Sequence, residues 1–278
     1  MKELENEVEL KRKKKQTLNN NAMNFRLNLV SLYESPIGSI TFDKVEKLKN
    51  ELIQKGHGRR YINLSLATLS LILKHAIRKG HIENLPLIEP LKVRREDIKE
   101  RQFLSMQEIN KFLSELPEET KGGLRIRDFA KMHFLTGMRV GEMCAMRFDW
   151  VQGDKIIIQA TQILTGREEN APKTGIGSIP LTNEMREIIE RQPKRNAYVF
   201  SSKKNKSILR SAITILYSRH GRRILGQPIQ THTLRRSLGR ALLDNQEPIY
   251  TVSRLLRHSS ITMTQKAYAS LSDETERK

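Results

Sequence analysis

Apolar positions recur at helical spacing through most of the chain. After Thr41, Val45, Leu48, Leu52 and Ile53 fall on one face. That spacing predicts a helix capped by Thr41 and stopped by Gly56 and Gly58. A second stripe, Leu66, Leu69, Leu73, Ala76 and Ile77, ends near Gly80, and Pro86 and Pro90 then break the chain. Basic residues fill the gaps: Arg59, Arg60, Lys74, Arg78 and Lys79. Ser105-Met106-Gln107-Glu108 is a capping box, in which the Ser and Glu side chains satisfy each other's backbone N–H groups. Helical stripes follow through Ile109, Phe112 and Leu113, and through Ile126, Phe129, Ala130 and His133. The period shortens at Ile156-Ile157-Ile158 and again near 176–181, with a Gly- and Pro-containing turn between, which predicts a β-hairpin. A further short strand is expected at Tyr198-Val199-Phe200, and the rest from Thr182 on reads as helix. The class is therefore mostly α with a small antiparallel β-sheet.

These elements divide the chain. Residues 1–20 are a charged segment containing Lys11-Arg12-Lys13-Lys14-Lys15, expected as a frayed helix or loose arm. Residues 21–98 form a helical domain, 99–104 a linker within a charged stretch, and 105–278 a second domain.

Lys and Arg total 50 against 31 Asp and Glu, a formal net charge of +19. Such an excess favours a polyanionic partner, DNA or RNA first, although a basic soluble protein without that role has the same count. No long apolar run argues for a membrane span. Cys144 is the single cysteine, so no disulfide framework forms within the chain, and an intracellular protein is expected.

Four clusters in the second domain carry chemistry. In Thr136-Gly137-Met138-Arg139-Val140-Gly141-Glu142, the i, i+3 spacing brings Arg139 and Glu142 together, which alone describes an ordinary ion pair. Lys173 lies at the tip of the expected hairpin, between Pro172 and Thr174, where a lysine is ordinarily just solvated. His232 and Arg235 share a helical face that Arg236 and Arg240 widen, opposite a buried stripe of Leu234, Leu238, Ala241 and Leu242. His258 stands at a helix end before Ser259-Ser260, and Tyr268 lies on the short helix that follows. A lone tyrosine near a C-terminus usually only packs.

In this order the clusters resemble the tyrosine recombinase (phage integrase) family. That family has an Arg in a T-G-x-R-x-x-E context, a hairpin Lys, H-x-x-R, a His in an L-G-H-S-S-like context, and a nucleophilic Tyr last. The resemblance is close over 103–278 and more generic over 21–98, which look like the family's helical core-binding domain. It implies a two-domain clamp around double-stranded DNA, with a mixed α/β catalytic domain. It implies a site-specific recombinase working through a 3′-phosphotyrosine intermediate, as an integrase of a mobile element acting as a homo-tetramer on synapsed sites. It also implies the catalytic set Arg139, Lys173, His232, Arg235, His258 and Tyr268, with Glu142 orienting its neighbours.

Two positions depart from the pattern. Arg257 stands where the family usually has Gly, and Arg236 where a second His or similar residue is common. A full arm-site-binding domain is expected to be missing ahead of the helical one. Two arginine forks can neutralise a phosphate without a metal. No cofactor is expected, and His57, His75, His81 and Cys144 lack metal-site spacing. The alternatives are a type IB topoisomerase, which shares the chemistry, and a DNA-binding regulator that has lost it.

Overall fold

The computed structural model describes residues 15–97, 102–163, 166–172, 174–204 and 206–268. The chain forms two compact units, residues 1–100 and 101–278.

In the first unit, helix α1 (Lys15–Asn28) leads through two 3₁₀ turns into α2 (Phe42–Gln54) and α3 (Arg59–Arg78). The expected stripes make its core: Val45, Leu48 and Leu52 from α2 meet Ile62, Leu66, Leu69 and Leu73 from α3, with Leu29. Ile53 instead stays exposed. Helix α1 runs through the expected boundary at residue 20, so Lys15 begins a helix while 1–14 lie outside the described residues. Its end is pinned by polar groups: Asn28 donates to Asn24 and Ser65, both at 2.9 Å, and accepts from the Tyr61 hydroxyl at 3.2 Å. Buried amides persist where partners satisfy them, as here.

The second unit opens with α4 (Met106–Glu115), whose capping box closes as expected: Glu108 N–H donates to Ser105 Oγ at 3.2 Å and Ser105 N–H to Glu108 Oε2 at 2.8 Å. Helix α5 (Ile126–Thr136) is the central element, and Phe129, Ala130 and His133 are fully buried. His133 Nδ1 is 3.1 Å from the Tyr217 hydroxyl, and burial pushes the imidazole down to about 3, so it sits in the core as a neutral ring. Asp128 is also buried. Desolvation would raise its pKa, but hydrogen bonds from Arg191, Arg125 and Gln192 outweigh that and hold it below the usual range. This carboxylate ties the start of α5 to the chain beyond α7 (Asn183–Glu190).

Between α6 (Val140–Ala145) and α7, five short strands lie among the described residues. Strands β1 (Val151–Gln152), β2 (Lys155–Ile158) and β5 (Gly177–Pro180) form an antiparallel sheet in the order β1-β2-β5, with Ile156 opposite Ile179. The expected pairing of β2 with 176–181 is present, but its connection is no simple turn. It contains a second antiparallel pair, β3 (Thr161–Gln162) with β4 (Glu169–Asn170). The expected strand at 198–200 is not formed. Tyr198 makes an isolated bridge to Arg147, and the Val199 N–H donates to Met146 O at 2.9 Å, so this segment backs the end of α6. The chain continues through α8 (Arg210–Leu225), α9 (Thr231–Asp244), α10 (Ile249–Leu255) and α11 (Ile261–Tyr268).

Candidate active site

Arg139 follows directly on the turn that ends α5. Gly137 adopts a left-handed conformation there, φ 57°, which a glycine reaches without steric cost. A Cβ at this position would lie 2.9 Å from the side chains of both Leu238 and Leu256. The turn delivers Arg139 to the N-cap of α6, not to a helical face. Fully buried Glu142 accepts from the Arg139 backbone N–H at 2.9 Å and from its guanidinium at 3.1 Å. Arg139 also donates to Thr174 Oγ1 at 3.2 Å and to the Arg257 carbonyl at 3.4 Å.

Arg235 departs from expectation. The H-x-x-R spacing placed it on an exposed basic face of α9, yet it is buried, at 6% exposure. Its guanidinium donates to the carbonyls of Gly137 and Leu256. Leu234 is buried as expected, while Leu238, Ala241 and Leu242 are only partly so. The helix therefore turns its arginine inward, toward the α5–α6 turn.

His232 is exposed as a residue. The protein packed around its ring and then the charges of Arg235, Arg236, Arg210 and Arg139 push it down to about 4. The ring is neutral at pH 7 and available as a base. His258 is half-buried, with Nδ1 2.7 Å from the hydroxyl of buried Thr264 on α11. That contact links the end of α10 to the helix that Tyr268 closes. The Tyr268 side chain lies outside the described part of the structure, as does Lys173, whose neighbours Pro172 and Gly175 close a turn through a 3.0 Å hydrogen bond.

The structure thus brings Arg139, Arg235 and Glu142 together, with His232 within electrostatic reach and the backbone leading to His258 alongside. It adds Arg257 and Thr174, to which the sequence reading gave no role. The signal for Arg257 was its place in the family's Gly position; nothing marked Thr174. Two guanidiniums, one buried and one partly so, near a neutral imidazole suit an anionic centre on which negative charge develops. Among the described residues no three His, Cys, Asp or Glu side chains gather where they could hold a metal ion.

The model of the phage integrase family matches residues 102–275, more than half of the chain, and the chain belongs to that family. The tyrosine recombinase XerD of Listeria monocytogenes (serotype 4b) is 25% identical over 219 residues, covering 76% of this chain and 72% of that protein. The ICEBs1 integrase of Bacillus subtilis is 25% identical over 266 residues, covering 86% and 69%. The Tn1549 transposon integrase, solved with transposon right-end DNA, superposes with a TM-score of 0.77 at 18% identity, covering 99% of this chain and 97% of that one. A lambda integrase tetramer bound to a Holliday junction gives a TM-score of 0.73 at 21% identity, covering 92% and 72%. The chain is a tyrosine recombinase, an enzyme of site-specific DNA strand breakage and rejoining. Among the described residues no helix is long and apolar enough to cross a membrane.

Proposed function

We propose that Arg139 and Arg235 hold the non-bridging oxygens of one phosphodiester in double-stranded DNA while Tyr268 attacks its phosphorus. The Tyr268 oxygen forms a bond to phosphorus and the bond to the 5′ oxygen breaks. His232 takes the phenolic proton, and Lys173 gives a proton to the departing oxygen. The products are a 3′-phosphotyrosine and a free 5′ hydroxyl, and the reverse steps rejoin the strand. His258 adds a hydrogen bond to the phosphate. Residues 21–98 grip the duplex, and four copies assemble on two synapsed sites to integrate a mobile element. The observation that supports this reading is the guanidinium pair: Arg235 is fixed in advance by the carbonyls of Gly137 and Leu256, and Arg139 by Glu142, Thr174 and the Arg257 carbonyl, which spares reorganisation when charge develops. An isolated tyrosine hydroxyl has a reference pKa of about 10 and needs such a field or a base to attack at neutral pH.

The test is covalent trapping on a nicked duplex that lets the cut fragment diffuse away. The unaltered protein should migrate as a protein–DNA adduct on a denaturing gel. Tyr268→Phe should bind the same duplex with unchanged affinity and give no adduct. An adduct from the Phe variant would remove Tyr268 from the nucleophile's role.

A further inference from the structure

Arg257 has a backbone that its side chain does not favour. Its φ is 51°, in the left-handed region, where a residue with a Cβ is strained and glycine is not. Among the described residues only Gln246 is another non-glycine there. The backbone makes the turn that ends α10, with its N–H donating to Arg254 O at 2.9 Å. Nothing in that turn requires an arginine.

The side chain accounts for the residue. It is enclosed, at 9% exposure, and reaches from the end of α10 to two elements at once. Its Nη1 pairs with Glu142 Oε2 at 3.3 Å. Its Nη2 donates to Gly175 O at 2.9 Å and to Thr174 Oγ1 at 3.3 Å. The same Thr174 hydroxyl accepts from Arg139 at 3.2 Å, so it sits between two guanidiniums. Strand β5 begins against this arginine: a Cβ on Gly177 would lie 2.7 Å from Arg257 Nε. Arg257 therefore fastens the residues that follow Lys173 directly to the carboxylate that holds Arg139.

We infer that Arg257 is a positioning residue for the general acid. It clasps the turn bearing Lys173 to the Arg139–Glu142 pair, so that the leaving-group proton arrives in register with the phosphate clamp. This rests on the reading of Lys173 as that acid. A glycine at position 257 would relieve the backbone and release the turn together. The loss of rate should then lie in the leaving-group proton and be repaired by a better leaving group, which a merely structural side chain would not produce.

The experiment is single-turnover cleavage by the full chain. Its substrate is a nicked duplex carrying a site that this protein selects from random-sequence DNA. The scissile phosphate is made with either oxygen or sulfur at the 5′ bridging position, since a thiolate leaves without a proton. Arg257→Gly should cleave the oxygen substrate roughly a hundredfold more slowly, the scale of a misplaced catalytic group. It should return to near the unaltered rate on the sulfur substrate, with affinity for DNA unchanged. Arg257→Lys, which cannot span Glu142, Thr174 and Gly175 at once, should show the same rescue. Lys173→Ala is the reference. If sulfur rescues Lys173→Ala but neither Arg257 variant, or if Arg257→Gly cleaves ordinary DNA at full rate, Arg257 does not position the acid. If sulfur fails to rescue Lys173→Ala itself, the reading of Lys173 falls, and this inference falls with it.

Discussion

At the scale of single residues, the surrounding protein and the fixed cations of the site keep a neighbouring imidazole uncharged. His232 is held neutral down to about pH 4 by the protein around it and by neighbouring arginines. In an unfolded chain the same imidazole titrates near 6.5. Because its folded pKa is the lower one, the unfolded state takes up more protons as pH falls. The stabilisation is fully present above about 6.5 and is lost progressively as pH falls toward about 4. His232→Asn should therefore flatten the fall in denaturation midpoint between pH 7 and pH 4, measured beside the unaltered protein. Identical slopes would mean the ring is not held neutral. The identities of these residues were legible in the sequence because their order and contexts matched a family pattern. Their environments were not. Helical spacing placed Arg235 with His232 on a basic face, yet burial and two carbonyl acceptors belong to elements far away in sequence. No local pattern encodes them.

At the scale of elements, α6 matters most, because its N-terminus carries Arg139. It packs on β3 through Gly141, where a Cβ would lie 2.5 Å from Thr161 Oγ1 and 2.7 Å from the Gln162 carbonyl. The carbonyl is backbone and cannot turn aside. Gly141→Ala should cost about 1–3 kcal/mol by overpacking, read as a lower denaturation midpoint. It should also slow cleavage more than it weakens DNA binding, because α6 carries Arg139, the residue proposed to hold the phosphate. Removing the Thr161 hydroxyl should not restore either property. Unchanged stability in Gly141→Ala would show that α6 and β3 separate freely. The sequence disclosed the long helices and the capping box through periodicity and side-chain chemistry. It did not disclose β3 and β4. Each is two residues long and mostly polar, and β4 is held by side chains: Glu169 takes hydrogen bonds from Arg147 at 2.9 Å and Tyr198 at 2.7 Å. The same contacts explain why Tyr198-Val199-Phe200 looked like a strand. Its apolar residues are buried, but Val199 backs the end of α6 and Phe200 packs edge-on against Phe129 of α5, not in a ladder.

At the scale of the whole molecule, the net charge of +19 should make DNA binding steeply salt-dependent, since each phosphate contact releases counterions. The slope of log affinity against log salt gives the number of contacts, at about 0.9 per phosphate. Deletion through residue 20 would cut α1, whose end is pinned by Asn24 and Asn28, so the basic run is better tested by removing residues 1–14. A modest decrease in slope is expected; an unchanged slope would mean those cations do not touch DNA. The anchoring of the two arginines bears on which substitutions the site can take. Its guanidiniums lean on the carbonyls of Gly137, Leu256 and Arg257, and a carbonyl is the one acceptor that every amino acid supplies. Substitution can change the side chains at 256 and 257 without deleting those acceptors. What must be inherited is the course of the main chain, which has to bring two distant bends face to face. For these acceptors the record lies less in the letters than in the path of the main chain, while the side chain at 257 and the missing one at 137 answer to separate demands of their own.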